Sequence, residues 1–231
     1  MPLTIRVILV DPLYQGNVGS VARAMKNLGY SDLVLVNPCK LEGEACALAS
    51  HARDLMHNAR IVDTIQEAIE GVNLIVGTTG MTGSKRDEHI RMPIHTSRQL
   101  KGKLDGNSGT IAILFGREDN GFTNDELEQC DMLVSIPTSE EYPIMNLSHA
   151  VTIMLYELSN VVPDETPLGE HFDLELLYEH LAEILDDISY PEHKKNKTHL
   201  MFKRIFGRAM LTPREIQTLR GVLARIQRTI R

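Results

Sequence analysis

Ile5-Arg6-Val7-Ile8-Leu9-Val10-Asp11-Pro12, running on through Leu13-Tyr14-Gln15-Gly16 into Asn17-Val18-Gly19-Ser20-Val21-Ala22-Arg23, reads as a strand that turns straight into a helix. Residues 5–10 are almost continuously apolar and rich in β-branched side chains, and Asp-Pro closes them as a turn signal. Asn17 is a candidate helix cap. Beyond it Val18, Val21, Ala22, Met25 and Leu28 recur at helical spacing, with Gly29 as the stop. The alternation repeats downstream: strands are predicted at 33–36, 73–79, 111–115 and 133–136, and helices at 44–56, 64–70, 124–129 and 147–158. Continuous apolar strands separated by helices predict an α/β fold, a parallel sheet with helices on both faces.

The chain has 231 residues, enough for one such domain and an extension. The predicted organisation is a domain over 1–160, a Pro- and Gly-containing linker over 161–172, and a helical extension over 173–231, with helices near 173–188, 196–209 and 213–230. Thr212-Pro213-Arg214-Glu215 opens the last helix with a capping residue, a first-turn proline and a third-position glutamate. No apolar run approaches the length that spans a bilayer, and the N-terminus enters a strand at once, so neither anchor nor export is expected. Cys39, Cys46 and Cys130 form no C-x-x-C pair, which suits a reduced, cytoplasmic protein. The nine histidines show no zinc spacing, and no metal is expected.

A net charge of −7 conceals an asymmetry: residues 194–231 carry 11 Lys/Arg against Glu215 alone, a balance of +10, while the rest carries −17. Two readings of the basic tail stand side by side. It is a solvated helix surface paired with acids of the body, or a surface that meets RNA phosphates and gains from counterion release.

Three stretches lie at predicted strand ends, where open α/β sheets bind ligands. They are residues 17–23; Phe115-Gly116-Arg117-Glu118-Asp119-Asn120-Gly121; and Ile136-Pro137 leading to Pro143-Ile144-Met145-Asn146-Leu147-Ser148. The glycines around Asn17 suit an anion at a helix N-terminus, yet neither the P-loop nor the G-x-G-x-x-G pattern is present. That argues against a nucleotide hydrolase and a dinucleotide enzyme. Taken singly, Arg23 reads equally well as a surface charge, Glu118 as a helix-start charge, and Ile136 and Met145 as core.

Together the three stretches resemble the SpoU (TrmH-type) branch of the SPOUT RNA methyltransferases. Within that branch they are most similar to the tRNA ribose 2′-O-methyltransferases of the anticodon loop, and Arg204-Ile205-Phe206-Gly207-Arg208-Ala209 with Leu219-Arg220-Gly221-Val222-Leu223 resemble that group's C-terminal signature. The resemblance implies a C-terminal trefoil knot, a homodimer, S-adenosyl-L-methionine as methyl donor and no metal. It implies tRNA as partner, methylated at ribose thirty-two on cytidine, or cytidine and uridine. By the same resemblance Arg23, Asn17, Glu118, Asn146 and Ser148 serve catalysis. Thr78, Thr79, Gly80, Gly116, Ile136, Ile144, Met145 and Asn146 hold the donor, and Arg86, Lys203, Arg204 and Arg208 meet RNA. One departure stands out: Ile144 occupies the place of a family serine and has no hydrogen-bonding side chain. A ribosomal RNA 2′-O-methyltransferase and a non-catalytic knotted RNA-binding protein remain as alternatives.

Overall fold

A computed structural model describes residues 3–80 and 88–231. The first half runs β1 (Leu3–Val10), α1 (Gln15–Asn27), β2 (Asp32–Val36), α2 (Gly43–Ala49), α3 (Arg53–His57), β3 (Arg60–Val62), α4 (Ile65–Ala68) and β4 (Leu74–Thr78). Then follow α5 (Glu88–Arg91), β5 (Ile94–Thr96), α6 (Ser97–Leu104), β6 (Asn107–Phe115), α7 (Asn124–Glu128), β7 (Met132–Ser135) and α8 (Leu147–Leu158). The tail holds α9 (His171–Asp187), α10 (Glu192–Ala209) and α11 (Pro213–Ile230).

The strands form one parallel sheet in the order β3-β2-β1-β6-β4-β7-β5. Alternation along the apolar runs explains why both faces are covered. Ile5, Val7 and Leu9 of β1, with Ile111, Ile113 and Phe115 of β6, face a core completed by α1, α2, α6 and α8. Ile8, Val10, Ala112 and Leu114 face the opposite core, closed by α4, α7 and Leu200 of α10. Every one of these strand residues is at most 6% exposed, so the sheet sits between two apolar layers.

Two strands enter out of chain order: β6 lies between β1 and β4, and β7 between β4 and β5. Because all pairs are parallel, the loops after β1, β4, β6 and β7 leave from one edge of adjacent strands. That edge is where the three sequence stretches meet.

Several sequence expectations change. The helix read over 44–56 breaks at Ser50, which has φ 51°, into α2, a 3-10 turn and α3. The break lets Ala45 and Ala49 pack with Leu55 and Met56 in the same core. Strands β3 and β5 and helix α6 were not predicted. The two strands are three-residue edge pieces with little pattern to read, whereas α6 carries a Thr96–Gln99 capping box that is legible in retrospect. The stretch read as a linker is stitched to the body. Thr166–Pro167 pairs with Asn107 and Ser108, Leu168 N–H donates to the Ser108 carbonyl at 3.1 Å, and the Asn73 amide donates to Leu168 and Gly169 carbonyls at 3.1 Å each. No described helix is long and apolar enough to cross a membrane.

Candidate functional site

Helix α1 starts three residues earlier than the sequence suggested. Tyr14 is its capping position and makes no side-chain cap, so Asn17 lies in the first turn. The expectation that Asn17 caps the helix is therefore corrected, and its amide is free for other work. Asn17 Nδ2 donates to Glu118 Oε1 at 2.8 Å, while Asn17 Oδ1 accepts from Asn146 Nδ2 at 3.0 Å. Asn146 caps α8: its Oδ1 accepts from the Ser148 N–H at 2.9 Å and from Ser148 Oγ at 2.7 Å. Glu118 completes the chain, accepting from Leu13 N–H at 2.9 Å and Tyr14 N–H at 3.4 Å. One hydrogen-bonded line, Glu118–Asn17–Asn146–Ser148, thus joins the loops after β6, β1 and β7.

The backbone N–H groups ahead of α1 are satisfied by the Glu118 carboxylate, a favourable place for an anion. The anion at this helix start belongs to the protein itself. Gly16 and Gly19 serve a different purpose from the phosphate loop considered above. A Cβ on Gly19 would lie 2.2 Å from the Ala45 carbonyl oxygen, and one on Gly16 2.9 Å from the Leu48 side chain, so both let α1 press against α2.

Arg117 anchors the second loop. Its guanidinium donates to Glu126 Oε1 at 2.8 Å and Oε2 at 2.9 Å, to the Gly121 carbonyl at 3.3 Å, and to the Asp11 carboxylate. Hydrogen bonds to Glu126 raise the Arg117 pKa, so it stays a fixed cation. The close approach that Gly116 permits is to its own loop: a Cβ there would meet the Gly121 carbonyl carbon at 2.7 Å and Phe122 N at 2.9 Å.

Between these loops lies a cavity of about 300 Å³ lined by Thr78, Thr79, Gly80, Gly116, Ile136, Ile144 and Met145, among others. Ile144 spans two loops, since a Cβ on Gly80 would lie 2.9 Å from Ile144 Cδ1. A second cavity of about 640 Å³ shares Glu118, Thr138, Ile144 and Met145 with it and adds Asn17 and Asn146. A cavity of about 1000 Å³ lies at the opposite end of the sheet. Its amides are already committed: Gln66 donates to Gln129, and Asn73 bonds the Leu168 and Gly169 carbonyls and the Thr110 N–H. The carboxyl edge is the better candidate.

Of the five basic candidates, the four that are described lie away from the two cavities of the carboxyl edge. Arg23 is exposed and makes no hydrogen bond or ion pair with the described residues; it lines neither cavity of the carboxyl edge. Six residues beyond Asn17, it points about 240° around the helix from it. Arg86 lies outside the described residues. Arg204 and Lys203 are corrected: they are 2% and 8% exposed, too buried to meet RNA. Arg204 donates to the carbonyls of Leu127 at 2.8 Å, Ile90 at 3.2 Å and Cys130, and Lys203 Nζ pairs with Glu175 at 3.2 Å. Both side chains lie at the inner side of α10, where Gly207 brings the helix against Asp131. Arg208 is half-buried. Within residues 194–231, the cations that face solvent without a partner among the described residues are Lys194, Lys197, Arg214, Arg225 and Arg228. Others pair within the tail, as Lys195 with Asp186, Arg220 with Asp173 and Arg231 with Asp187. Charge counting in the sequence found the basic tail but not which side chains face outward.

Comparison with known proteins gives the family. Residues 4–156 match the SpoU rRNA Methylase family, and residues 172–231 match the C-terminal domain of the tRNA methyltransferase TrmJ. A tRNA (cytidine-2′-O-)-methyltransferase TrmJ from Methanocaldococcus jannaschii is 42% identical, over 95% of this chain and 98% of its own length. The tRNA (cytidine/uridine/adenosine-2′-O-)-methyltransferase TrmJ of Pseudomonas aeruginosa is 37% identical over 98% and 95%. The crystal structure of TrmJ from Z. mobilis ZM4 superposes with a TM-score of 0.77 at 28% identity, covering 97% of this chain and 99% of that one. The chain belongs to the SpoU methylase family and, within it, to the TrmJ proteins.

Proposed function

We propose that this protein is an S-adenosyl-L-methionine-dependent tRNA methyltransferase that modifies the 2′-hydroxyl of ribose thirty-two in the anticodon loop, on cytidine or on cytidine and uridine. The observation that carries the reading is the line Glu118–Asn17–Asn146–Ser148, which starts at Glu118 in the wall shared by the two cavities and runs along the second cavity through Asn17 and Asn146. Full-length similarity to TrmJ proteins supports tRNA over ribosomal RNA as substrate. We read residues 1–160 as the methyltransferase domain, 161–172 as its stitched linker and 173–231 as the RNA-binding extension.

The 300 Å³ cavity fits the methyl donor. Ile136, Ile144, Met145 and Leu147 give it apolar walls for a purine, and Gly80, Gly116 and the threonines Thr78, Thr79 and Thr138 complete the lining, the Thr78 and Thr138 hydroxyls donating to the Leu114 and Pro143 carbonyls and keeping their oxygens as acceptors. S-Adenosyl-L-methionine, when bound, supplies an activated methyl group on a sulfonium. The chain's own residues hold the acceptor. Asn17 and Asn146 fix each other's amide orientation in the wall of the second cavity, and Glu118 holds the start of α1 in place through the Leu13 and Tyr14 N–H groups. Ile144 closes the cavity against Gly80, so the polar work that a serine there would share falls to Asn146 and Ser148. Positioning of this kind supplies much of the acceleration of a group transfer.

Among the described residues Arg23 lines none of the three cavities above, so we assign it to the site of a second subunit in a homodimer. Its guanidinium orients the ribose hydroxyl while stabilising negative charge on that oxygen. Membership of the SpoU methylase family supports a trefoil knot threaded by the segment after β7. A cytoplasmic enzyme suits the three free thiols.

The test is methyl transfer from labelled donor to unmodified tRNA, with the product mapped by nuclease digestion and mass spectrometry. A 2′-O-methyl group at nucleotide thirty-two is expected. Arg23→Ala should abolish transfer and leave donor binding intact; donor binding without transfer to any RNA by the wild type would point to a binding protein.

A further inference from the structure

The 640 Å³ cavity beyond the shared wall has an unusual rim. Tyr14 and Tyr142 border it, and they are 62% and 82% exposed. Two large aromatic rings exposed beside one cavity offer an apolar rim that a ligand in the cavity can cover. Both are carried by backbone that the site itself pins. Tyr14 N–H donates to Glu118 at 3.4 Å and its carbonyl accepts from Asn17 N–H at 3.0 Å. Tyr142 precedes Pro143, whose carbonyl accepts from Thr138 Oγ1 at 3.0 Å.

Neither lysine nor arginine borders the cavity among the described residues. Its floor is polar, with Asn17, Asn146 and Glu118, and its rim is aromatic with His149 alongside. A polar floor for a ribose below a flat apolar rim for a ring is the chemistry of an unstacked nucleoside. Single-stranded RNA bases are held on aromatic faces in this way, and the volume lies in the range of small-ligand sites.

We infer that this cavity takes the nucleoside to be methylated, its base swung out of the anticodon loop and stacked on Tyr14 and Tyr142. The inference rests on the methyltransferase reading above and adds to it the residues that hold the base. The stacking surface is sequence-tolerant, because every base has a π face, so the tyrosines raise affinity for a flipped base without choosing among bases.

The test pairs protein and substrate changes. One tRNA transcript carries the normal nucleotide at the methylated position, and a second is abasic there but keeps the ribose and its 2′-hydroxyl. Tyr14→Ala and Tyr142→Ala should each lower kcat/KM about tenfold on the normal transcript. On the abasic transcript they should change it less than about twofold, with donor affinity unchanged throughout. Phe variants should behave as wild type. Leu variants, which keep bulk without a π face, should lose as much as Ala, so the outcome does not depend on an Ala variant that folds poorly. Equal losses on both transcripts, or full activity of the Leu variants, would overturn the inference alone. No transfer by the wild-type chain to any tRNA would overturn the reading beneath it as well.

Discussion

Replacing Arg204 with methionine should destabilise the fold by about 3–5 kcal/mol and leave the salt dependence of tRNA binding unchanged. The magnitude follows from what the guanidinium touches. It is 2% exposed and donates to the carbonyls of Leu127, Ile90 and Cys130, the first two at 2.8 and 3.2 Å. The Leu127 carbonyl keeps a second donor, the Cys130 N–H at 3.2 Å, so its loss is small. The Ile90 and Cys130 carbonyls lose this charged donor, at about 1–3 kcal/mol each. Methionine retains the packing of the stem and removes the burial cost that already lowers the Arg204 pKa, which keeps the total near the middle of the range. In a chain of this size each kcal/mol lowers Tm by about 2–4 °C, so a fall of roughly 6–20 °C is expected. Thermal and urea unfolding measure it, and a salt titration of tRNA affinity runs beside them. A Tm shift below about 2 °C, or a shallower salt slope, would refute the structural role and return Arg204 to the RNA-facing surface.

Three further outcomes are expected. Changing Arg214, Arg225 and Arg228 together to Gln should weaken tRNA binding and flatten the plot of log affinity against log salt, because these cations are exposed and unpaired; an unchanged slope would mean that the tail does not meet phosphates. Gly116→Ala should cost about 1–3 kcal/mol, since its Cβ would lie 2.7 Å from the Gly121 carbonyl carbon; denaturant unfolding checks it, and wild-type stability would show that the loop opens freely. Acid should loosen the second loop. Burial raises the Glu126 carboxyl, but hydrogen bonds from Arg117 and the Thr123 N–H outweigh it and hold the pKa below 4.5. Its stabilisation is thus complete above about pH 4.5 and is lost as pH falls through the lower, folded value, so Glu126→Gln should flatten the acid limb of a stability–pH curve.

How much of this was legible in the chain depends on the range of the interaction. The apolar runs at 5–10 and 111–115, the helix at 147–158 and the Thr212–Glu215 cap lie in local patterns, and each forms as read. Arg204 shows the opposite case. In sequence it is one cation in a basic tail, and only the packing of α10 on the end of α7, with Gly207 against Asp131, makes it an internal clasp. Asn17 was read as a cap because caps are local; its actual partners, Glu118 and Asn146, are 101 and 129 residues away. Residues of short edge strands such as β3 carry too few side chains for a period to emerge.

The sequence by itself determined the parallel α/β plan, the charge division between body and tail, and the three motifs, because periodicity, composition and spacing are properties of the chain. Tertiary structure alone decided that β6 and β7 insert out of order, that the motifs close one hydrogen-bonded line, and which cations face water. Those depend on which strand ends become neighbours, and that is fixed by burying two apolar faces at once, a condition no local stretch contains.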